Sequence, residues 1–288
     1  MKTKLFLFAA VVLALLAGSF AYADNIYVSF NNGTIEKLDS SGNKSTFASG
    51  LGEDPGAGSG LAFDSSGNLY ASNKANGTIE KFDSSGNRTT FVSGLAGMGL
   101  AFDSGNIYVA DWSNVKKFGL SGNLLQTFTS PAGAWGHCFV DVAIDSSGYL
   151  YVPGENDYAI TKFTPDGNYS NFANIDYPSG IACDNQDNIY VSGYITGTIT
   201  KFDSNGNRST FVSGLSSPTG LAFDSSGNLY IANHWGYTIE KVDPSGNRST
   251  FADYTSLQIL PCFIAVQPIP EPATFLLLGF GIVVLRRK

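Results

Sequence analysis

The chain has 288 residues, of which 33 are glycine and 14% are charged, and its formal net charge at pH 7 is −7. All 24 acidic residues but only 12 of the 17 basic residues fall within 24–272, because the other five lie at the two ends: Lys2, Lys4, Arg286, Arg287 and Lys288. The central part therefore carries a net charge of −12, which repels phosphate backbones and argues against nucleic acid as a partner. The glycines, with many serines and asparagines, favour short strands and tight turns over long helices.

Residues 1–23 have the three parts of a secretory signal peptide. Lys2 and Lys4 give a positive start, 5–17 is an unbroken apolar stretch, and Ala21-Tyr22-Ala23 is an A-x-A cleavage site. We therefore expect cleavage after Ala23 and a mature chain that begins at Asp24. A retained membrane anchor is the alternative, but the apolar stretch is short for a membrane span.

The mature chain is built from an internal repeat. A four-residue start, LAFD or a variant of it, recurs at steps of 39, 42, 39 and 40 residues, at Leu61, Leu100, Val142, Ile181 and Leu221. Self-similarity at this period predicts a propeller or a solenoid before any other fold. The clearest copy is 221–251, and the other copies are looser versions of it.

Each repeat contains four strand-length runs, which we call a, b, c and d. They are rich in β-branched and aromatic residues, and in the clearest copy they are Leu221–Phe223, Leu229–Ala232, Thr238–Val242 and Ser249–Ala252. Four short antiparallel strands in each repeat are typical of a propeller blade. The sequence therefore predicts an all-β fold.

The connections between strands a and b, and between c and d, use one turn sequence. It reads Asp-Ser-Ser-Gly-Asn at 39–43, 64–68, 83–87 and 224–228, and close variants occur at 203–207 and 243–247. Asp or Ser starts a type I turn, and Gly takes the left-handed position that closes the hairpin. An acidic, glycine-containing loop also suggests calcium, but Ser stands where a calcium loop needs a second oxygen ligand of the carboxylate or amide type. We therefore interpret these segments as turns.

The number of blades follows from the two ends of the repeat region. The first repeat has strands b, c and d at 26–29, 34–38 and 45–48 but lacks strand a, and 263–266 supplies a further strand a after the last d. We therefore predict a six-bladed propeller over 24–267, closed by pairing of the N- and C-terminal strands in one blade. A linear solenoid would have no reason to complete its first repeat from its last residues.

The repeat pattern GLAFDxxGNLYxAN, followed by TIxKFD, resembles the NHL repeat. It is also similar to the wider six-bladed propeller superfamily that includes SMP-30/gluconolactonase-like and virginiamycin-B-lyase-like proteins. The resemblance covers roughly 25–266. It implies the fold, and it leaves the activity open between binding modules and enzymes.

The C-terminal segment 268–288 has three elements in order. Pro270-Glu271-Pro272 is followed by an apolar run at 275–285 and by a basic end. This arrangement resembles the PEP-CTERM sorting signal. The resemblance implies a Gram-negative-type bacterium, processing near Pro270, Glu271 and Pro272 by an exosortase-type enzyme, and a place in the cell envelope, on the surface or in an exopolysaccharide or biofilm matrix. Before processing, we expect the apolar run to hold the chain in the membrane as a short transmembrane helix with its basic end in the cytoplasm. A frayed apolar tail is the alternative.

Three cysteines, Cys138, Cys183 and Cys262, show no metal-binding spacing. Cys183 replaces the Phe of LAFD, so we expect it to pack as a small apolar residue. We expect free thiols, with a Cys138–Cys262 disulfide as the alternative in an exported protein.

The loops between strands b and c, and between d and a, vary from repeat to repeat and share one face of the predicted propeller. Scaffolds that carry function on loops show this division. Aromatic planes with carboxylates suit sugar rings, so we interpret this face as a binding site for extracellular polysaccharide or a matrix protein, without a catalytic residue or cofactor. The alternative is that each Trp caps a blade and each His is a surface residue. The candidate ligand-binding residues are Asp111, Trp112, Trp135, His137, Glu155, Asp157, Tyr194, His234, Trp235 and Tyr237.

Two enzymatic alternatives follow from the resemblance. An SMP-30-like hydrolase needs a divalent metal such as calcium near the channel, and Asn73, Asp111 and Asn233 occupy equivalent places after strand b. A virginiamycin-B-lyase-like enzyme needs a histidine-containing site, and His137 and His234 lie on the appropriate face. The sequence does not decide between these alternatives and the binding module.

Overall fold

The structure is a computed structural model that describes residues 24–52, 58–129, 140–154 and 158–268. These residues form six four-stranded antiparallel sheets, each of them one propeller blade. The prediction of an all-β, six-bladed propeller is confirmed. Within the described residues the only helix is a single 3₁₀ turn, at His234–Gly236.

Blades 1, 2 and 3 contain twelve strands, and blade 1 takes its innermost strand from the C-terminal end. Their bounds are β24 (Pro261–Val266), β1 (Ile26–Phe30), β2 (Ile35–Leu38) and β3 (Lys44–Ala48) in blade 1; β4 (Leu61–Phe63), β5 (Leu69–Asn73), β6 (Thr78–Phe82) and β7 (Arg88–Ser93) in blade 2; and β8 (Leu100–Asp103), β9 (Asn106–Asp111), β10 (Asn114–Gly119) and β11 (Leu124–Thr129) in blade 3.

Blades 4, 5 and 6 repeat the same order of strands from the centre outwards. Their bounds are β12 (Ala143–Ile144), β13 (Leu150–Gly154), β14 (Ala159–Phe163) and β15 (Tyr169–Asn174) in blade 4; β16 (Pro178–Cys183), β17 (Ile189–Gly193), β18 (Thr198–Phe202) and β19 (Arg208–Val212) in blade 5; and β20 (Pro218–Phe223), β21 (Leu229–Asn233), β22 (Thr238–Val242) and β23 (Arg248–Asp253) in blade 6.

Pairing of the two chain ends closes the ring. β1 pairs antiparallel with β24, and the register places Ile26 opposite Val266 and Val28 opposite Ile264. The contact continues beyond the strands, where the side-chain amide of Asn25 donates to Gln267 Oε1 at 3.0 Å. The predicted closure in one blade is therefore present.

Several inner strands begin earlier than the LAFD pattern predicts. β20 starts at Pro218 and β24 at Pro261, ahead of the expected Leu221 and Phe263. In β20 the register against β21 shifts between Pro218 and Leu221, so these additional residues join the sheet through a β-bulge. A β-bulge interrupts the alternation of apolar and polar residues, so the repeat pattern does not predict where these strands begin.

The hydrophobic core lies between blades as well as within them. In the described residues it separates into six clusters, each drawn from two neighbouring blades. The cluster at the closure joins Tyr230 and Ile239 of blade 6 to Ile26 and Val28 of blade 1. Because each blade buries its faces only against its neighbours, the ring has to close before the core is complete.

One polar arrangement recurs on strand b. In blade 6 the ring of Tyr230 meets Phe251 edge-on, with centroids 5.0 Å apart, and its hydroxyl donates to Asp224 Oδ2 at 3.4 Å. Lys241 Nζ lies 5.2 Å from the centroid of the same ring and 3.8 Å from Asp224 Oδ2. Tyr70 in blade 2 and Tyr190 in blade 5 have the equivalent partners. The repeat therefore encodes a structural unit that links the a–b turn to strands c and d.

The Asp-Ser-Ser-Gly-Asn segments form the predicted turns. Asp224 Oδ1 accepts from the backbone N–H groups of Ser226 and Asn228 at 3.0 and 2.8 Å, and Oδ2 accepts from the Asn228 amide at 2.7 Å. Gly227 has a φ of 81°, the left-handed region that glycine enters without strain. The donors of the turn itself occupy these carboxylate oxygens, which explains the acidic residue without calcium.

Replacing Asp224 by alanine is expected to lower the free energy of unfolding by about 2–3 kcal/mol, because turn donors, Tyr230 and Lys241 lose a charged partner. Asp243→Ala is the matched control, since Asp243 makes the same turn contacts to Ser245 and Asn247 without a tyrosine. Urea unfolding should show a clearly smaller loss for the control. Equal losses would mean that the tyrosine and lysine contacts contribute nothing.

Candidate functional site

The b–c connections and the d–a connections lie at one end of the blades, which we call the loop face. In blade 6, β21 ends at Asn233 and the chain makes the 3₁₀ turn His234–Gly236 before β22 begins. The Trp235 backbone N–H donates to the Ser216 carbonyl at 3.1 Å, which anchors this turn to the d–a loop that enters the same blade. The insert that distinguishes the last repeat is therefore held in a defined place.

Three predicted site residues come together on the loop face. The Trp235 indole N–H donates to the hydroxyl of Tyr194 in blade 5 at 2.8 Å. The His234 ring lies edge-on to Trp235, with centroids 5.5 Å apart, and its centroid is 6.3 Å from that of Tyr194. Trp235 is nevertheless 51% exposed, so its ring is available to a ligand.

Two tyrosines extend this group towards blade 4. The backbone N–H of Tyr194 donates to the Tyr177 carbonyl at 3.0 Å, and the Tyr177 ring meets Tyr158 edge-on, with centroids 4.8 Å apart. The Tyr158 hydroxyl donates to the Tyr177 hydroxyl at 3.0 Å. We call Tyr158, Tyr177, Tyr194 and Trp235 the aromatic row; it crosses three blades.

Tyr158 occupies a position that blades 1, 2 and 5 give to glycine, whereas blade 6 has Tyr237 there, also with a left-handed φ of 56°. The Tyr158 carbonyl accepts from the Ile175 N–H just as Gly77 accepts from Leu95 and Gly197 accepts from Leu215. Tyr158 has a φ of 53°, in the left-handed region that disfavours a bulky side chain. Because Tyr237 has the same conformation and packs against the core, the left-handed backbone belongs to the blade and does not by itself mark a binding site.

A cavity of about 110 Å³ lies beside the row. Tyr177 and Tyr194 belong to the row and His234 lies at its edge, and all three line the cavity. Among the described residues, no side chain that lines the cavity carries a permanent charge. Mostly apolar walls with a few converging polar groups are typical of small-molecule sites. The remaining lining residues are Met98, Val140, Pro178, Ser179, Gly180, Thr219, Gly220, Cys262 and Phe263.

His234 is 3% exposed, so it is a buried wall of the cavity rather than a surface residue. Its Nδ1 lies 2.9 Å from the Pro261 carbonyl oxygen, which accepts only if Nδ1 carries the proton. Burial lowers the pKa of His234, while the Pro261 contact acts in the opposite direction. The ring is therefore neutral at pH 7, with Nε2 as a hydrogen-bond acceptor.

The other candidate ligand-binding residues are dispersed. Trp112 in blade 3 is 56% exposed and makes no ring contact with another aromatic residue among those described. Asp111 is buried and pairs with Lys116, and Tyr237 packs partly against the core between blades 6 and 1. Four of the candidates lie outside the described residues: Trp135, His137, Glu155 and Asp157.

The three candidate metal ligands share a structural role. Asp111 Oδ1 accepts from the Ala96 N–H and Asn233 Oδ1 accepts from the Ser216 N–H, both at 2.7 Å. Asn73 is fully buried, and its amide, oriented to satisfy its neighbours, donates to the Leu51 carbonyl at 2.8 Å. Each side chain ties the end of strand b to the preceding d–a loop, which accounts for the recurrence of Asn or Asp there.

In the described ranges, no group of three or more His, Cys, Asp or Glu side chains is arranged to hold a metal ion. Cys183 is partly buried, and burial raises the pKa of its thiol to about 12, which fits the expected apolar packing. Cys262 is buried beside His234, and its Sγ donates to the Leu260 carbonyl at 3.3 Å. Cys138 lies outside the described residues, so the alternative disulfide remains a prediction.

A second cavity of about 230 Å³ follows the central channel, where the inner strands of the blades meet. Apart from Asp141, which is buried, and Cys183, which is partly buried, the residues that line it have apolar side chains. The two oxygens of Asp141 accept from the backbone N–H groups of Val142 and Ile181, at 2.9 and 3.1 Å. Burial nevertheless raises the pKa of Asp141 to about 7.

Residues 268–288 match the PEP-CTERM protein-sorting motif. The chain is an exported protein. The motif directs proteins to the cell surface and implies processing by an exosortase-type enzyme. The described part of the chain has no helix that is long and apolar enough to span a membrane. The predicted signal peptide and the C-terminal apolar run both lie outside it.

Solved structures share the propeller fold. A chain of a nidogen/laminin complex is 18% identical, with a TM-score of 0.72, covering 86% of this chain and 100% of that chain. A catalytically inactive virginiamycin B lyase from Staphylococcus aureus, crystallised with quinupristin, is 15% identical, with a TM-score of 0.62 and coverages of 86% and 94%. Regucalcin, a calcium-binding protein from Agrobacterium tumefaciens, is 18% identical, with a TM-score of 0.59 and coverages of 68% and 74%.

These identities establish a common fold and no common activity. The similar structures include both a protein of a binding complex and an enzyme, so the fold is compatible with either class. No curated protein matches the chain in sequence. The function has to be argued from the loop face itself.

Sequence reasoning missed Tyr177 and Asp141. Tyr177 lies in a d–a loop directly before β16. The chain has 14 tyrosines, so the presence of a tyrosine there did not indicate a site. Its left-handed φ of 49° and its contact with Tyr158 appear only in the folded ring. Asp141 directly precedes the VAID start of the fourth repeat, and an acidic residue immediately before a buried strand was the available signal.

Asp141 is expected to make the stability depend on pH. The pKa of Asp141 is about 7 in the folded protein, whereas the pKa of an Asp in an unfolded chain is about 4. The folded state therefore binds the proton more tightly than the unfolded state does. The resulting stabilisation is present below pH ~4 and is lost as the pH rises to ~7. Asp141→Asn, which does not titrate, should show a flatter profile of unfolding free energy between pH 5 and 8 in urea titrations. Parallel profiles for the two proteins would contradict this.

Proposed function

We propose that this exported, surface-sorted propeller is a non-enzymatic binding module for an extracellular polysaccharide, and that the aromatic row is its binding site. The observation that carries the proposal is the row itself, which presents aromatic rings across blades 4, 5 and 6, beside a cavity. Sugar rings stack their C–H faces on aromatic planes, and the exposed Trp235 offers the largest plane. A row of such planes suits an extended polymer.

The hydrogen bonds within the row support a polar ligand. Trp235 has only a donor, so the Tyr194 hydroxyl accepts its bond and keeps its own proton for another acceptor. Because Tyr158 donates to Tyr177, the Tyr177 hydroxyl proton is available in the same way. The row therefore combines apolar aromatic planes with two O–H groups. A hydroxyl or ring oxygen of a sugar can accept hydrogen bonds from these groups.

The charge of the site favours a neutral polysaccharide over an anionic one. In the part of the chain that the structure describes, neither the row nor the cavity lining contains Lys or Arg, and Asp176 directly precedes Tyr177. The central part of the chain carries a net charge of −12, so uronic or phosphorylated polymers would be repelled. A neutral polysaccharide is not repelled by the negative charge of the protein.

The proposed location agrees with the sorting motif. In this proposal the signal peptide 1–23 directs export in a Gram-negative-type bacterium, and processing near Pro270, Glu271 and Pro272 releases the propeller at the surface or into an exopolysaccharide matrix. A matrix protein is the second class of partner for the same face. Trp112, at the loop end of blade 3, would extend the surface if the partner is large.

Trp235→Ala is expected to weaken binding to a neutral matrix polysaccharide roughly tenfold or more, because it removes the largest stacking plane and the donor to Tyr194. Binding is measured by co-sedimentation with insoluble polysaccharide and by calorimetry with soluble fragments. Leu124→Ala is the matched control, since Leu124 is an apolar residue of similar exposure, 53%, on the outer edge of blade 3. Unchanged binding by the Trp235 variant would refute the proposal.

Tyr158 allows strain and binding to be separated. Tyr158→Gly and Tyr158→Ala both remove the ring and should weaken polysaccharide binding equally. Only glycine relieves the left-handed backbone, so the glycine variant should be more stable than the alanine variant by about 1 kcal/mol in urea unfolding. Equal stabilities would mean that the position is unstrained, and full binding by both variants would remove Tyr158 from the site.

A further inference from the structure

The cavity beside the aromatic row has both apolar and polar walls. Its volume of about 110 Å³ leaves room for a ligand group or several waters. Met98, Val140 and Phe263 provide apolar wall, whereas His234 and Tyr194 provide polar atoms. A group that fills this space has to carry both an apolar end and a hydrogen-bonding end.

The hydrogen bonds around His234 determine what the polar end must be. Nδ1 is held by the Pro261 carbonyl, and Nε2 has no hydrogen-bond partner within the described ranges. The residue is 97% buried, since its exposure is 3%, so an unsatisfied acceptor there is costly unless a ligand or water donates to it. Because His234 lines the cavity, a ligand group with an N–H or O–H donor would satisfy this nitrogen.

Tyr194 supplies the complementary donor. Its hydroxyl accepts from the Trp235 indole, so its own proton remains available to a further acceptor. The Tyr194 and His234 rings lie 6.3 Å apart between centroids, which allows one small group to reach both. A planar group with a donor on one side and an acceptor on the other satisfies this pair.

We propose that the cavity takes the acetamido group of a 2-acetamido sugar, so that the polysaccharide bound by the row contains N-acetylated hexosamine. The amide N–H donates to His234 Nε2, the amide carbonyl accepts from the Tyr194 hydroxyl, and the methyl group lies against the apolar wall. This inference rests on the proposed function, because it names the sugar that the aromatic row binds.

Other sugar substituents fit less well. A hydroxymethyl group has a donor and an acceptor but leaves the apolar wall exposed to water. A carboxylate has no N–H or O–H for His234 Nε2, and none of the described residues that line the cavity is a cation. A free amino sugar is charged, and burial of an ammonium group between apolar side chains is unfavourable without an anion.

The test uses β-1,4-linked tetrasaccharides of N-acetylglucosamine and of glucose, which share linkage and length. Calorimetry should show that the propeller binds the acetylated tetrasaccharide roughly tenfold more tightly. His234→Asn keeps a donor for the Pro261 carbonyl and lacks the Nε2 acceptor, so its preference should fall below roughly twofold. His234→Gln places an acceptor near the Nε2 position and should retain most of the preference.

Each outcome has a distinct meaning. Equal affinity of the unmodified protein for both tetrasaccharides, with loss of both in Trp235→Ala, overturns the acetamido site and leaves the proposed function standing. A preference that survives in His234→Asn, or that is lost equally in His234→Gln, overturns the hydrogen bond to Nε2. Binding of neither tetrasaccharide, and of no other neutral polysaccharide, overturns the proposed function together with the inference.

Discussion

The antiparallel pairing of β1 with β24 is the contact on which the whole ring depends. It joins residues more than 230 positions apart in sequence, such as Val28 and Ile264, and it completes the hydrophobic cluster between blades 6 and 1. Without it, blade 1 would lack an inner strand, and blade 6 would expose a face with Tyr230 and Ile239. Closure also covers the edges that an open array of blades would leave available for aggregation. Bringing the two chain ends together costs loop-closure entropy. Burial of apolar side chains between blades 6 and 1 offsets this cost.

Closure also places the functional candidates. Trp235 and His234 belong to blade 6, Tyr194 and Tyr177 to blade 5, and Tyr158 to blade 4, so the row exists only because consecutive blades lie side by side. Pro261, which holds His234, begins the strand that closes the ring. The cavity and its orienting hydrogen bond are thus consequences of the same contact.

The scaffold satisfies its polar groups internally and leaves the loop face free to vary. The turn aspartates are occupied by their own N–H donors, and Asp111 and Asn233 tie strand ends to neighbouring loops. Asp111 and Asn233 were candidate metal ligands in the sequence, because structural and metal-binding side chains belong to the same residue types. What separates them is the identity of their partners, which only coordinates supply. The aromatic row differs, because Tyr158, Tyr177 and Trp235 are exposed. Among the described residues, the Tyr177 and Tyr194 hydroxyls accept hydrogen bonds within the row and have no acceptor for their own protons.

The blade, the number of blades, the closure and the sorting motif could be predicted from the sequence, because each is a local pattern or a repetition of one. The repeat also places His234, Trp235 and Tyr194 on one face. The contacts among these three residues, the contacts with Tyr177 and Tyr158, and the separation of Trp112 from them appear only in the folded ring. The burial of Asp141 in the channel also appears only there. Contacts between blades depend on the closed ring and its β-bulges, and these follow no period that a single sequence displays.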